Sequence, residues 1–350
     1  MAAESIANNK NKREYIRLAA ESDICAIREI WRNIFTPDED YLDVIFNNLY
    51  PLLDGFVYTN DEKILSVAFA IPITLIQRDV KDISAHKAIS YNGRYLYGVA
   101  TIEEARGRGL SRVLVGHIKD YYKSTGEDFI ITRPAEESLF QFYKAQGFSF
   151  PLFRREITLN LRQLKQSAEE GTLVDTATTS KGYITDNENF NTQTINLQED
   201  IQAKDLYKLR SGLCENLFEW DSHILECILK LTNVEKGIFR YTPESGEYII
   251  ASYNTIQENN FKSLEELLAQ ILMNHYTMCG SNLNEHNTGF ERIESITLIE
   301  PATGNFEKST EKLDKYFVGS KITEFALCMP LSEKITKESI ENCFFNLTME

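Results

Sequence analysis

The sequence predicts an α/β fold (α+β in the wider sense): a mixed sheet flanked by helices, with a second half built on a similar order. Three observations carry this. Apolar, β-branched runs alternate with stretches of helical periodicity from Tyr15 onward. One run, Tyr97 to Thr101, stops at a short acidic loop and a pair of glycines, Gly107 and Gly109, that open a helix. The general order of elements then recurs beyond residue 196. At 350 residues the chain exceeds the usual single domain, so two domains are expected.

Taken in order, Tyr15 to Ala19 predicts a first strand. A helix starts at Glu21 with Ser22 or Asp23 as N-cap and buries Ile24, Ile27, Ile30, Trp31 and Ile34. Residues 36 to 40 (Thr-Pro-Asp-Glu-Asp) break it, and a second helix runs from Tyr41 to Leu49. Gly55 to Tyr58 and Ile64 to Leu75 form a strand pair about a turn at Asn60 to Glu62. Arg78 to Arg94, with Asn92-Gly93, reads as a long loop before the central strand. The helix after the glycines buries Leu110, Val113, Leu114, His117, Ile118 and Tyr121. Phe129 to Thr132 is a short buried strand, and Glu136 to Gln146 a helix closed by Gly147.

A strand running through glycines into a helix N-terminus is a device for holding an anion. The first helical N–H groups have no internal partners, and the helix dipole adds positive potential there. Glycine lets a phosphate approach the backbone, and Arg106 and Arg108 add counter-charge. A P-loop would need a Lys-Ser/Thr after the glycines, and a dinucleotide fingerprint a small residue where Arg112 stands. What fits is Arg-x-x-Gly-x-Gly/Ala from Arg106 to Ser111, with serine in the last small place.

With Val99-Ala100-Thr101 upstream, this segment resembles the acetyl-CoA signature of the GCN5-related N-acetyltransferase (GNAT) superfamily. The segment Phe140 to Phe148 is similar to the second motif of that family, Tyr-x-x-x-Gly-Phe, and Tyr143 falls on its tyrosine. Pro134 and Glu136 depart from the usual lead into that helix. The resemblance covers about residues 13 to 155. It implies a mostly antiparallel GNAT sheet, acetyl-CoA as co-substrate, and a cradle of Val99, Ala100, Thr101, Arg106, Gly107, Arg108, Gly109, Leu110 and Ser111. Tyr143 is implied to protonate the departing thiolate, and a bulged central strand to offer the oxyanion an N–H of Val99 or Ala100. Glu39 and Asp40, on the helix–helix connection, are the candidate bases or substrate contacts. Glu103 and Glu104 read as spacers.

After the strand Phe153 to Leu161 the chain turns polar. The expected division is 1–162 for the acetyltransferase domain, 163–195 for a polar linker or excursion, and 196–350 for a degenerate GNAT-like domain. In that last part Ala203 to Leu217, Asp221 to Leu231 and Leu264 to His275 read as helices. Gly237 to Tyr241, Tyr248 to Tyr253, Ile293 to Ile299 and Ile322 to Met329 read as strands. No second glycine signature precedes Leu264. The tandem plan resembles Eis-like acetyltransferases without their sterol-carrier-like third domain.

Composition narrows the partners. Residues 1 to 180 hold 22 Lys/Arg against 25 Asp/Glu, and residues 181 to 350 hold 15 against 27, within a net charge of −15. That argues against nucleic acid or an anionic membrane and fits a cationic amine, a small molecule or a peptide, as acceptor. No apolar run approaches a bilayer span and Met1 to Arg13 lacks a signal-like core. Six scattered cysteines read as reduced cytoplasmic thiols, and no His or Cys spacing suggests a metal. The second domain is expected to complete the acceptor wall or to form a dimer contact, the latter giving a homo-oligomer. Two function classes stand: an N-acetyltransferase working through a direct ternary complex, and a non-catalytic acyl-CoA-binding or scaffold protein.

Overall fold

In the computed structural model, residues 13–60, 63–78, 88–160, 162–163, 166, 203–210, 216–235, 237–242, 247–252, 255–259, 295–301, 317–341, 343 and 345 are described. The chain divides into two compact units. One comprises residues 1–73, 91–149 and 327–335, the other residues 74–90, 150–326 and 336–350.

The first unit is a mixed sheet with helices on it. Strand β1 (Tyr15–Leu18) pairs antiparallel with β2 (Asp54–Thr59), and β2 with β3 (Ile64–Arg78). Next to β3 lies β4 (Ala88–Thr101), which pairs parallel with β5 (Phe129–Thr132) over Gly93 to Leu96. Parallel neighbours need a crossover, and α3 (Leu110–Thr125) supplies it. The last partner of β5 comes from far along the chain: Leu327 to Pro330, the end of β12 (Phe317–Pro330), pair antiparallel with Thr132 to Phe129.

Local sequence explains these elements. Ile64 to Ile71 are all buried because β3 is covered on both faces, and the run is correspondingly continuous rather than alternating. Helix α1 (Ile24–Phe35) buries Ile27, Ile30 and Trp31. Asp23 does not cap it by its side chain. Its carboxylate instead accepts from the Ala20 N–H at 2.7 Å and from Arg17, one turn earlier than expected. Helix α2 is Glu39–Val44, followed by a single π turn at Ile45–Leu49. On α3 the buried stripe is Leu110, Leu114, Val115, Ile118 and Tyr122. Val113, expected inside, is 52% exposed, since one residue's rotation from Leu114 carries it off the face. Helix α4 (Glu137–Lys144) ends near Gly147, which takes φ +103°.

The expected loop from Arg78 to Arg94 is corrected in part. β4 already begins at Ala88, and residues 79–87 lie outside the described residues. Asn92-Gly93 looked like a turn, but Gly93 sits inside the strand opposite Phe129. A Cβ there would lie 2.5 Å from the Phe129 ring, so the glycine answers to packing.

In the second unit β6 (Phe150–Asn160) pairs antiparallel with β11 (Ser295–Pro301). β11 pairs parallel with β10 (Thr255–Asn259), which leads through β9 (Glu247–Ser252) to β8 (Ile238–Thr242). The expected helix from Ala203 to Leu217 is shorter: α5 covers Ala203–Arg210, and Asn216–Glu219 form β7 against Thr74 to Gln77. Leu217, Phe218 and Trp220, bulky and buried, favour the extended form. Helix α6 (Ser222–Val234) is capped by Asp221, whose carboxylate accepts from the N–H of His223 and Ile224. Arg210 and Glu258 form a fully buried pair, with the Tyr248 hydroxyl donating to Glu258 at 2.7 Å. The predicted helix Leu264 to His275, the turn at residues 243–246 and almost all of the polar stretch 163–195 lie outside the described residues.

Candidate active site

The site is built on β4, where its pairing with β5 stops. Registered pairs end at Leu96 and Thr132. Thr132 Oγ1 donates to the Leu96 carbonyl at 3.0 Å, so the main-chain polar groups of Leu96 face β5. Further on, the Ala100 carbonyl accepts from Ser66 of β3 at 2.7 Å, and the Ile102 N–H donates to Leu65 of β3 at 3.0 Å. Even-numbered positions have thus changed sides. A regular strand keeps alternate residues on one edge, so the change requires one extra residue between Leu96 and Ala100. Gly98, at φ +59°, is the residue that takes it up. The main chain of Val99 is thereby turned toward the side on which β5 has ended.

This bulge is locked from one side. A Cβ on Gly98 would lie 2.1 Å from Cζ2 of Trp31, so the indole of α1 occupies the place of a side chain. Trp31 stacks on Phe69 at 5.0 Å and meets Tyr97 edge-on at 5.3 Å. The hydroxyls of Tyr41, on α2, and Tyr97 are 2.9 Å apart, which ties α2 to the residue just before the bulge. Trp31, Tyr41, Tyr97 and Gly98 were not among the sequence candidates. Gly98 beside Tyr97 in an otherwise β-forming run was the available signal.

Downstream, a compact loop from Ile102 to Gly109 joins β4 to α3. Ile102, Ala105 and Leu110 pack with Leu65 and Tyr58, anchoring both ends. Gly107 (φ +75°) and Gly109 (φ +76°) are left-handed, and Gly109 directly precedes α3. Nothing lies within 4 Å of a Cβ built on either glycine. Their need is therefore conformational, and the space above them is open. That open backbone at a 16-residue helix's mouth is a fit for a diphosphate approaching the main chain. Arg106 Nε reaches the Thr101 carbonyl at 3.3 Å, and Thr101 and Ser111 hydroxyls are 3.1 Å apart. Arg108 instead holds Glu14 at 2.7 and 2.8 Å, which keeps the Glu14 carboxyl below its ordinary value.

Tyr143 lies in the same apolar cluster that Val99 packs against, with Leu114, Ile118, Phe148, Leu327 and Met329. It is only 7% exposed. Burial pushes its phenol up to about 12, against a smaller opposing pull from the Thr132 hydroxyl. Glu39 and Asp40 occupy the first turn of α2 on the surface. Glu39 is gripped by Arg32 and Arg28, whose hydrogen bonds hold its carboxyl down at about 2. Among the described residues, no cluster of three His, Cys, Asp or Glu could hold a metal ion, and no helix is long and apolar enough to cross a membrane.

Comparison with known proteins places this geometry. Residues 15–150 match the model of the acetyltransferase (GNAT) domain. No curated protein matches the chain by sequence. Among solved structures, the chain is similar to a GCN5-related N-acetyltransferase from Kribbella flavida, with a TM-score of 0.56 and 10% identity over 91% of this chain and 71% of that one. It is also similar to Eis1 from Mycobacterium abscessus (TM-score 0.51, 10% identity, 91% and 74% covered). A GCN5-related N-acetyltransferase from Anabaena variabilis gives 0.50, 11%, 91% and 73%. At such identities the likeness concerns the fold, a mixed sheet flanked by helices across most of the chain. With its bulged strand, glycine loop and crossover helix, the segment 15–150 resembles the acetyltransferase (GNAT) domain whose model it matches.

Proposed function

We propose that the chain is an N-acetyltransferase that moves acetyl from acetyl-CoA to a primary amine by direct attack in a ternary complex. The observation that carries this reading is the bulge at Gly98, which turns the Val99 main chain toward the gap beyond β5. The N–H of Val99 is then a pre-aimed donor for a tetrahedral oxyanion, and such a donor contributes about 3 kcal/mol. The glycine loop lies within ten residues of it, so diphosphate and thioester are held by one stretch of chain. Ala100 lends its carbonyl to Ser66 and so fixes the strand rather than the oxyanion.

Amine activation remains the harder demand. An alkylamine near 10.4 is neutral about once in a thousand molecules at pH 7, costing roughly 4 to 5 kcal/mol. Glu39, held at about 2, is a poor base, so its proposed part is the positive charge of the acceptor, shared with Asp40. The net charge of −15 suits a cationic acceptor, and the protein is proposed to work in the cytoplasm without a metal. A degenerate GNAT-like character for residues 196–350 is part of the same reading, supported by the fold likeness over 91% of the chain.

One observation favours the second reading, an acyl-CoA-binding protein without turnover. A phenol near 12 giving its proton to a thiolate of about 8.5 climbs roughly 5 kcal/mol, so Tyr143 can serve as acid only in concert with C–S cleavage. The deciding experiment measures CoA release from acetyl-CoA across a panel of amines, with the acetylated amine identified by mass. Amine-dependent release that falls at least tenfold in Tyr143→Phe supports the enzyme. CoA binding without any amine-dependent release supports the binder.

A further inference from the structure

We propose that Ser66, which has no place in the glycine signature, positions the CoA cradle through a one-way chain of three hydroxyls; the inference rests on the acyl-CoA reading above. Ser66 Oγ lies 2.7 Å from the Ala100 carbonyl and 2.9 Å from Thr101 Oγ1. Thr101 Oγ1 in turn lies 3.1 Å from Ser111 Oγ. The chain therefore links β3, the end of β4 and the first turn of α3.

Its direction follows from counting hydrogens. A carbonyl only accepts, so the single hydrogen of the fully buried Ser66 goes to Ala100. Ser66 must then accept from Thr101. That spends the one hydrogen of Thr101, which must accept from Ser111. The order is Ser111 to Thr101 to Ser66 to the Ala100 carbonyl.

Two consequences follow for the cradle. The first turn of α3 is tethered to the sheet by a donated hydrogen bond, which sets where its free N–H groups stand. The oxygen of Ser111 then faces outward with lone pairs only, so an anion at this helix mouth is met by main-chain N–H groups and not by the serine hydroxyl. Ser66 and Thr101 are positioning residues: they act on the diphosphate through the backbone they hold.

The test separates the diphosphate from the thioester. CoA binding is measured by calorimetry, and turnover is measured with acetyl-CoA and with acetyl-pantetheine, a thioester lacking the diphosphate. Thr101→Val and Ser66→Ala are each expected to weaken CoA about fivefold to tenfold, as loss of one hydrogen bond would. The double variant should be no weaker than Thr101→Val alone, because both cut the same chain. Thr101→Ser, which keeps the hydroxyl, should bind CoA as wild type does and carries the test if Thr101→Val does not fold. Acetyl-pantetheine turnover should fall less than CoA affinity does, because that thioester makes no use of the helix mouth. Wild-type affinity in the single variants, additive losses, or an equal loss with acetyl-pantetheine would each overturn the proposal. A wild type that gives no heat with CoA overturns the acyl-CoA reading and this inference with it; variants that bind as tightly as a competent wild type overturn this inference alone.

Discussion

Gly98 shows how one residue can set both geometry and chemistry. Its left-handed φ creates the bulge, and its missing side chain makes room for Trp31. Gly98→Ala should therefore cost at least about 3 kcal/mol, because backbone strain and a 2.1 Å contact add. Denaturant unfolding checks this, and a loss under 1 kcal/mol would contradict the interlock. Gly109 is the opposite case: with nothing near its Cβ position, Gly109→Ala should cost only about 1 kcal/mol from its left-handed φ. The glycine loop was legible in the sequence, since glycine spacing reports φ directly. The bulge was expected from the family resemblance alone and not from the residues, because a glycine in a strand can mean a kink, as at Gly98, or a close ring, as at Gly93. Nor could the burial of Tyr143 be read, since the helix spacing that brings it to the motif says nothing of what covers it.

At the scale of elements, α2 is held to α1 by ions. Arg28 bonds Glu39 and Asp43, and Arg32 bonds Glu39 and Glu29. Glu39 has its folded pKa lowered from 4.5 to about 2, so its stabilisation is fully present above about pH 4.5 and fades as pH falls toward 2. Thermal melts of wild type and Glu39→Gln should differ at pH 7 and converge toward pH 2; a gap constant across that window would contradict the pairing. The end of β12 is a second case. Leu327 to Pro330 pair with β5 and bury Leu327, Met329 and Leu331 in the cluster that holds Tyr143. Three such side chains contribute roughly 5 kcal/mol, a large part of the stability of a domain. A chain ending at residue 326 should lose cooperative folding of its first unit and CoA binding with it, as followed by circular dichroism and calorimetry. A fragment that melts and binds like the full chain would refute this. The strand itself was legible as an apolar run, but its pairing with β5 across some 200 residues was not, because register between distant strands leaves no local signal.

For the whole molecule, charge is the property most directly visible in sequence and the least tied to fold. A net charge of −15 implies an attraction for cations that salt screens. The preference for a polyamine over a neutral amine, as a ratio of kcat/KM, should fall severalfold between about 0.05 and 0.5 M salt. A ratio indifferent to salt would place acceptor choice in shape alone. The β-α-α-β-β order and the strand–loop–helix centre were written in hydrophobic periodicity and turn residues, which is why they survive at 10% identity to structures of the same fold. The acceptor is not written there, since it depends on side chains brought together from separate elements, as Trp31, Tyr41 and Tyr97 are.

The most direct measurement is a calorimetric titration of CoA into wild type and into Gly109→Val. The account predicts saturable binding in wild type and at least a tenfold loss in the variant, where a branched side chain crowds the left-handed turn and the space above it. Absence of binding in wild type, or equal binding in both, would contradict the claim that main-chain groups at the mouth of α3 hold the diphosphate.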